Sequence, residues 1–290
     1  MARAAIAIVL VLLLAPATWI GINVFDCRVD RDIAYLPSAG AANRLDLYRP
    51  PGSRPRPTLV YFHGGGWLPA SSKKDVDVWK LPFLYLGWNI ANVEYRRSDI
   101  AKAPQALADS ICAVEWLNAN AARYQVDTSR LVLMGDSAGG QLALAAGMIP
   151  SSGGLNGECA DLVFPRIGAI ISWAGVTDLN DLLDGPGRRE FALSWIPGGD
   201  VARDVALRVS PISYARKEAP PIFLVHANQD TIVPYDQALR LDNALKAAGA
   251  RSRLLTINGV YHVGMPALTT LRVYQDMLWF LHDNGIRILP

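Results

Sequence analysis

From Val29 onward, short apolar runs alternate with stretches whose apolar residues recur three and four positions apart. The runs TLVYF (58–62), NIANVEY (89–95), RLVLMG (130–135), IGAIISW (167–173), PIFLVHA (221–227) and RLLTIN (253–258) predict strands. Four are almost continuously apolar, as strands covered on both faces must be. Leu107, Ile111, Val114 and Leu117 predict a helix after Pro104, and Ala238, Leu241, Leu245 and Ala248 predict another before Gly249. Leu268, Leu271, Gln275, Leu278 and Leu281 mark a last helix before Gly285. The alternation implies an α/β fold, with a mainly parallel central sheet flanked by helices. Residues 37–57, rich in Pro, Gly and Arg, are expected to hold an early antiparallel hairpin or edge strands. Residues 176–219 interrupt the alternation with clustered Asp, Gly and Pro, and are expected to form a small cap insertion over the sheet rather than a domain.

Residues 4–25 carry no charge and follow a single Arg3. Ala15, Pro16 and Ala17 offer a small-residue cleavage site of the kind found after a signal peptide. Trp19, Ile20, Ile22, Val24 and Phe25 instead extend the run to the ~20 residues that cross a bilayer uncleaved. Both readings export residues 26–290, since the amine and Arg3 stay on the cytoplasmic side. Membrane association through residues 4–25 belongs to the second reading only. Cys27 directly after the run is a weak lipoprotein signal, because Val24, Phe25 and Asp26 are not small.

The 290 residues carry 28 Lys plus Arg against 26 Asp plus Glu. A balance of +2 is no nucleic-acid footprint. Cys27, Cys112 and Cys159 form no CxxC pair, and with four His they make a zinc cluster improbable. In an oxidising compartment two of the three can pair, leaving one over.

The strongest chemical signal is Gly135-Asp136-Ser137-Ala138-Gly139-Gly140, between a strand and the small-residue stretch QLALAAGMI. A Ser on a sharp strand-to-helix turn needs small residues two positions to either side, and the turn lifts its hydroxyl out of the sheet. The Ala138 N–H then faces an oxyanion formed beside Ser137. A plain Gly-rich helix start with a capping Ser is the bland alternative. His63-Gly64-Gly65-Gly66-Trp67 follows an early strand, and its unobstructed amides supply the other half of an oxyanion hole, with Gly65 and Gly66 the expected donors. His63 is expected to brace that loop, Trp67 to be core, pocket wall or substrate contact, and Asp136 to be structural.

A serine needs an imidazole to take its proton and a carboxylate to hold that imidazole. The chain order Ser, acid, His excludes His63 and His226 and leaves His262 and His282. His282 lies in the last helix, so His262, in GVYHVGM after a strand, is the candidate base. Asp230, in HANQDTIVP, is the candidate acid at the carboxyl end of the preceding strand, with Asp178 and Asp236 as competitors.

Together HGGGW, GDSAGG, HANQDTIVP and GVYH resemble the α/β-hydrolase superfamily, specifically its hormone-sensitive-lipase-like and feruloyl-esterase-like (BD-FAE) carboxylesterases, over roughly residues 40 to 285. The resemblance implies a triad of Ser137, Asp230 and His262 and oxyanion donors Gly65, Gly66 and Ala138, and the chemistry of such a site needs no cofactor or metal. Two departures stand out. Ala227 replaces a Gly in the acid segment, and Ser98, Asp99 and Ile100 replace the Leu, Pro and Glu that relatives often carry after VEYRR. The expected reaction is hydrolysis of a small-molecule ester through an acyl-enzyme. The rivals are amide hydrolysis on the same scaffold and a non-catalytic binding module. Leu182, Leu183, Phe191, Trp195 and Ile196 either form an apolar substrate pocket or, for most of them, bury the insertion's own core. Oligomeric state is not legible.

Overall fold

The computed structural model describes residues 26–36, 42–73, 80–149, 155, 157–159 and 161–289. The apolar run 4–25 lies outside them, and among the described residues no helix is long and apolar enough to cross a membrane. Eight strands form one sheet in the order β1-β2-β4-β3-β5-β6-β7-β8. They are β1 (Arg28–Ala34), β2 (Arg44–Arg49), β3 (Arg56–Phe62), β4 (Asn89–Val93), β5 (Val126–Asp136), β6 (Ala169–Trp173), β7 (Ile222–Ala227) and β8 (Ser252–Ile257). β1 and β2 are antiparallel to their neighbours, and the other six run parallel. Those six are the strands the apolar runs predict.

The early hairpin starts sooner than expected. Only β2 falls within 37–57, and β1 begins at Arg28. Its sequence, RVDRDIA, is mostly charged because it is an edge strand, bent by a bulge between Asp30 and Ile33 where Asp32 takes φ 54°.

The helices are α1 (Leu81–Tyr85), α2 (Gln105–Ala119), α3 (Ala121–Tyr124), α4 (Ala138–Met148), α5 (Glu190–Trp195), α6 (Ala202–Val209), α7 (Tyr235–Ala247) and α8 (Ala267–Asp283). Strand side chains alternate between two cores, as a period of two requires. Val60, Phe62, Leu131, Leu133, Ile170 and Leu224 pack with residues of α2, α4 and α7. Leu59, Tyr61, Val132, Met134, Ile171 and Phe223 pack on the other face with residues of α1 and α8. Every residue of α4 is buried, which explains its run of Ala and Gly: a Cβ on Gly147 would stand 2.5 Å from Ile170 Cδ1. In α8 the core stripe begins at Val273, while Leu268 and Leu271 are 82% and 63% exposed, so the first part of the predicted apolar period does not face the core.

Residues 176–219 join β6 to β7 and contain α5 and α6. Leu182, Trp195 and Ile196 are buried there, whereas Leu183 and Phe191 are only partly covered.

Cys112, on α2, is joined to Cys159, and Cys27 is the free thiol. The bond spans 47 residues that include β5, Ser137 and α4. A crosslink of that span is worth about 2–4 kcal/mol, chiefly through the unfolded chain. The double variant Cys112→Ala/Cys159→Ala should therefore lower urea-unfolding stability by about that amount, with far-UV circular dichroism unchanged. Equal midpoints for the two proteins would contradict it.

Candidate active site

β5 ends at Asp136 and α4 begins at Ala138, so Ser137 alone makes the turn. Its backbone sits at φ 52°, ψ −120°, a sparsely populated region for a residue with a Cβ, costing of order 1–3 kcal/mol. The surroundings enforce it. A Cβ on Gly135 would lie 2.2 Å from the Gly139 carbonyl oxygen, and one on Gly139 would lie 2.0 Å from that of Phe62. Only glycine at both positions lets the turn press onto the end of β3. Ser137 remains 8% exposed, and its N–H donates to the Trp173 carbonyl at 2.8 Å.

Asp136 couples this turn to the loop after β3. Its Oδ1 accepts from Tyr61 Oη at 2.5 Å and from the Gly64 N–H at 3.1 Å. The Gly64 amide is thus spent, whereas among the described residues nothing accepts from the N–H groups of Gly65, Gly66 or Ala138. Gly65 and Gly66 take φ +106° and +63°. A Cβ on Gly65 would stand 2.2 Å from that of Ser71. His63 braces the loop as expected. Its Nδ1 lies 2.8 Å from the Gly64 oxygen, its ring stacks on Tyr95 at 4.3 Å, and its Nε2 lies 3.4 Å from Glu94 Oε1. Burial pushes the Glu94 carboxyl up, but His63, the Lys73 N–H and Arg97 outweigh it and hold it below its ordinary value.

Trp67 is fully buried, stacked on Trp195 of α5 at 4.2 Å and 9° and tilted against Phe191. It is core, and it seats the 176–219 segment on the glycine loop. Phe191 of that segment also lies against the loop, since a Cβ on Gly66 would come 3.0 Å from the Phe191 Cβ. A cavity of about 500 Å³ within the segment is lined by Leu183, Leu193, Ile196, Pro197, Ala202 and Arg203 among others. Of the two departures from the familiar pattern, Ser98 donates its N–H to the Trp67 carbonyl at 2.8 Å, and Ile100 faces solvent. Ala227 ends β7 and accepts from the Asp230 N–H at 3.3 Å.

The carboxyl ends of the strands are stitched sideways: Ser137 to Trp173, Ala174 N–H to the Val225 carbonyl at 2.7 Å, and Asn228 N–H to the Ile257 carbonyl at 2.9 Å. Asp230 follows β7 and His262 follows β8 on that edge. His262 Nδ1 lies 2.7 Å from Asp230 Oδ2, which fixes Nδ1 as the protonated nitrogen and leaves Nε2 with its lone pair. The acid's other oxygen accepts from the N–H groups of Ile232 and Val233, at 2.8 and 3.1 Å.

His226 is a partner that sequence reasoning missed, having been set aside once chain order excluded it as the base. Its Nε2 lies 2.9 Å from the Val233 carbonyl and 3.3 Å from Asp230 Oδ2, both acceptors, so that nitrogen carries the proton. Burial pushes the Asp230 carboxyl up. Hydrogen bonds from His226 and His262, and the backbone N–H of Ile232, prevail and hold it well below the usual carboxylate range. The competing acids are engaged elsewhere: Arg240 binds Asp178 at 2.8 Å and Asp236 at 2.6 Å, and also Asp181. His282 is exposed on α8, edge-on to Trp279. Cys112, Glu115 and Cys159 bring ligand-type atoms within 4.8 Å of one another, but both sulfurs are joined in the disulfide.

The sheet order, the helices on both faces and the strained serine turn define an α/β-hydrolase fold. The chain belongs to the BD-FAE family, whose model matches residues 45–245. Among curated proteins it is similar to Esterase LipQ of Mycobacterium tuberculosis, at 29% identity over 231 residues, covering 76% of this chain and 53% of that one. It is also similar to isoprenylcysteine alpha-carbonyl methylesterase ICME of Arabidopsis thaliana, at 26% identity, covering 88% and 61%. The chain thus spans about half to three fifths of these relatives' lengths. A truncated carbohydrate esterase from gut microbiota shares the fold at TM-score 0.77 and 22% identity, over 90% of this chain and 97% of that one.

Two outcomes follow. Gly139→Ala should destabilise the protein by more than about 3 kcal/mol, because its Cβ meets backbone that cannot yield; a thermal midpoint within a few degrees of wild type would contradict this. Because the folded Asp230 pKa lies below the unfolded one, its contribution to stability is whole above the unfolded value near ~4 and is lost as pH falls below it. Asp230→Asn should therefore cost stability at about pH 7 and progressively less below about pH 4. A gap in urea midpoint that stays constant down to about pH 3 would rule this out.

Proposed function

We propose that the protein is a serine carboxylic-ester hydrolase working through an acyl-enzyme, with Ser137 as nucleophile, His262 as base and Asp230 as the acid that orients it. The observation that carries this reading is the 2.7 Å pairing of His262 Nδ1 with a buried, ionised Asp230 on the edge where the strained Ser137 emerges. His262 Nε2 takes the Ser137 Oγ proton as Oγ attacks the ester carbonyl. The N–H groups of Gly65, Gly66 and Ala138 hold the resulting oxyanion, each worth about 10²–10³ in rate by analogy with other such sites. His262 then passes the proton to the departing alcohol. A water molecule, deprotonated in turn by His262, releases the acid and restores the serine.

Residues 176–219 act as a short cap. Phe191 beside Gly66 narrows the space over the oxyanion donors, which favours short acyl groups. The names of the relatives, an esterase, a methylesterase and a carbohydrate esterase, agree in ester chemistry and differ in substrate. Export of the catalytic part, on a cleaved signal or a retained anchor formed by residues 4–25, is supported by the Cys112–Cys159 bond, which persists in oxidising compartments.

Ser137→Ala should reduce kcat for p-nitrophenyl acetate by about 10³-fold or more while leaving the unfolding midpoint close to wild type. Retained turnover in that variant would refute the nucleophile. Among p-nitrophenyl esters kcat/KM should be highest from acetyl to butyryl, and a matched anilide should be a far poorer substrate. A preference for long acyl chains would exclude the proposed role of Phe191, and a preference for the anilide would make the protein an amidase.

A further inference from the structure

The parallel strands give the molecule two unlike edges. Ser137, Asp230 and His262 follow strand ends, on the carboxyl edge. The opposite, amino edge gathers the segments that precede β3, β5, β6, β7 and β8, together with the chain after α8. The contacts of Arg56 with the Gly87 carbonyl, of Trp88 with the Ile288 carbonyl and of Arg251 with Asn284 tie these segments into one surface.

That surface is basic. Arg54, Arg123, Arg166, Lys217, Arg251 and Arg287 are all exposed on it. Among the described residues none of the six has a carboxylate within ion-pair distance, and Arg251 instead donates to the Asn284 side-chain oxygen at 3.5 Å. Asp30 there is shared by Arg28 and Arg49, and Asp127 is taken by Arg130. Among the described residues the exposed carboxylates on the edge are Asp26, Asp161, Glu218 and Asp283. On the catalytic edge Arg97, Arg188, Arg203 and Arg240 each face carboxylates, while Lys102 and Arg189 are held by the Ser194 and Ile232 carbonyls. Two large aliphatic side chains stand among the free cations, Val163 at 73% and Leu289 at 50% exposure. Unpaired cations interleaved with exposed aliphatics match an anionic bilayer surface, which takes charge at the headgroups and apolar tips just beneath them.

The second observation is where the chain enters. Arg28 pairs with Arg49, the last residue of β2, and β2 runs antiparallel to β4. β1 therefore starts on the amino edge, and residues 4–25 join the fold there, separated from Arg28 only by Asp26 and Cys27. We infer that this amino edge is a docking surface for an anionic membrane, so that the catalytic mouth points away from the bilayer and takes its ester from the aqueous side. The strands separating the two edges span roughly 20 Å. The inference rests on the reading of residues 4–25 as a membrane segment but not on the hydrolytic chemistry. A rival membrane face exists beside His262, where Val260, Leu268 and Leu271 are exposed with Arg272 next to them.

The test uses the full chain reconstituted in vesicles of phosphatidylcholine alone or with added phosphatidylglycerol. With Cys27 replaced by Ser, a donor dye is placed at Ser53→Cys or at Val260→Cys, and energy transfer to a headgroup-labelled lipid is measured. On anionic vesicles transfer should be stronger from position 53. The triple variant Arg54→Glu/Arg166→Glu/Arg287→Glu, or high salt, should erase that difference. Stronger transfer from position 260, or equal transfer from both, overturns the inference. If the chain does not float with phosphatidylcholine vesicles at all, the membrane-segment reading fails. The edge is then tested by flotation on anionic vesicles alone: a partition coefficient reduced about a hundredfold by the triple variant supports it, and no binding, or binding indifferent to the variant, overturns it.

Discussion

The contact on which the site depends is between backbones: the turn from β5 into α4 lies against the carbonyls that end β3. Gly139 reaches within 2.0 Å, measured from a hypothetical Cβ, of the Phe62 oxygen and 2.5 Å of the His63 oxygen. That closeness puts the serine turn and the first residues of the glycine loop in one rigid unit. It also holds Ser137 at a positive φ that an isolated chain would leave. Asp136, bonded to both Tyr61 and Gly64, closes the unit, so the spacing between the Ser137 hydroxyl and the free amides of Gly65 and Gly66 is set by core packing rather than by a mobile loop.

The charge on Asp230 is the other constraint. A carboxylate whose side chain is sealed from solvent is costly unless its oxygens are satisfied. Two backbone N–H groups serve one oxygen and two imidazoles the other. His226 and His63 thus do similar work at opposite ends of the site, one steadying the acid and the other steadying the glycine loop. Of the four histidines, two are braces, one is the candidate base and one is on the surface.

Much of this was legible in the chain. The six parallel strands announce themselves as apolar runs, four of them almost continuous, and the serine turn, the glycine loop, Asp230 and His262 each follow a strand end as their segments predict. What could not be read depends on tertiary pairing. Nothing in the spacing of His226 and Asp230 reveals that one ring nitrogen sits between Val233 and the acid, nor does Glu94 signal that it binds His63 across two strands. Which cysteines pair rests on how α2 meets the 157–159 turn. β1 is hidden because this edge strand has no fully buried residue and so carries no apolar run. Leu268 and Leu271 mislead for the opposite reason, since helical period records a stripe but not whether anything covers it.

Trp67 and Trp195 meet face to face, and among the described residues neither buried indole N–H has a hydrogen-bond partner. The joint between the glycine loop and the segment above it is consequently dispersive and carries no directional bond. Such a joint tolerates lateral slip of the two rings. Residues 176–219 thus meet the glycine loop through ring packing at Trp195 and Phe191, while their directional bonds, such as those from Gln141 Nε2 to the Val209 carbonyl and from Lys102 Nζ to the Ser194 carbonyl, go to other parts of the fold.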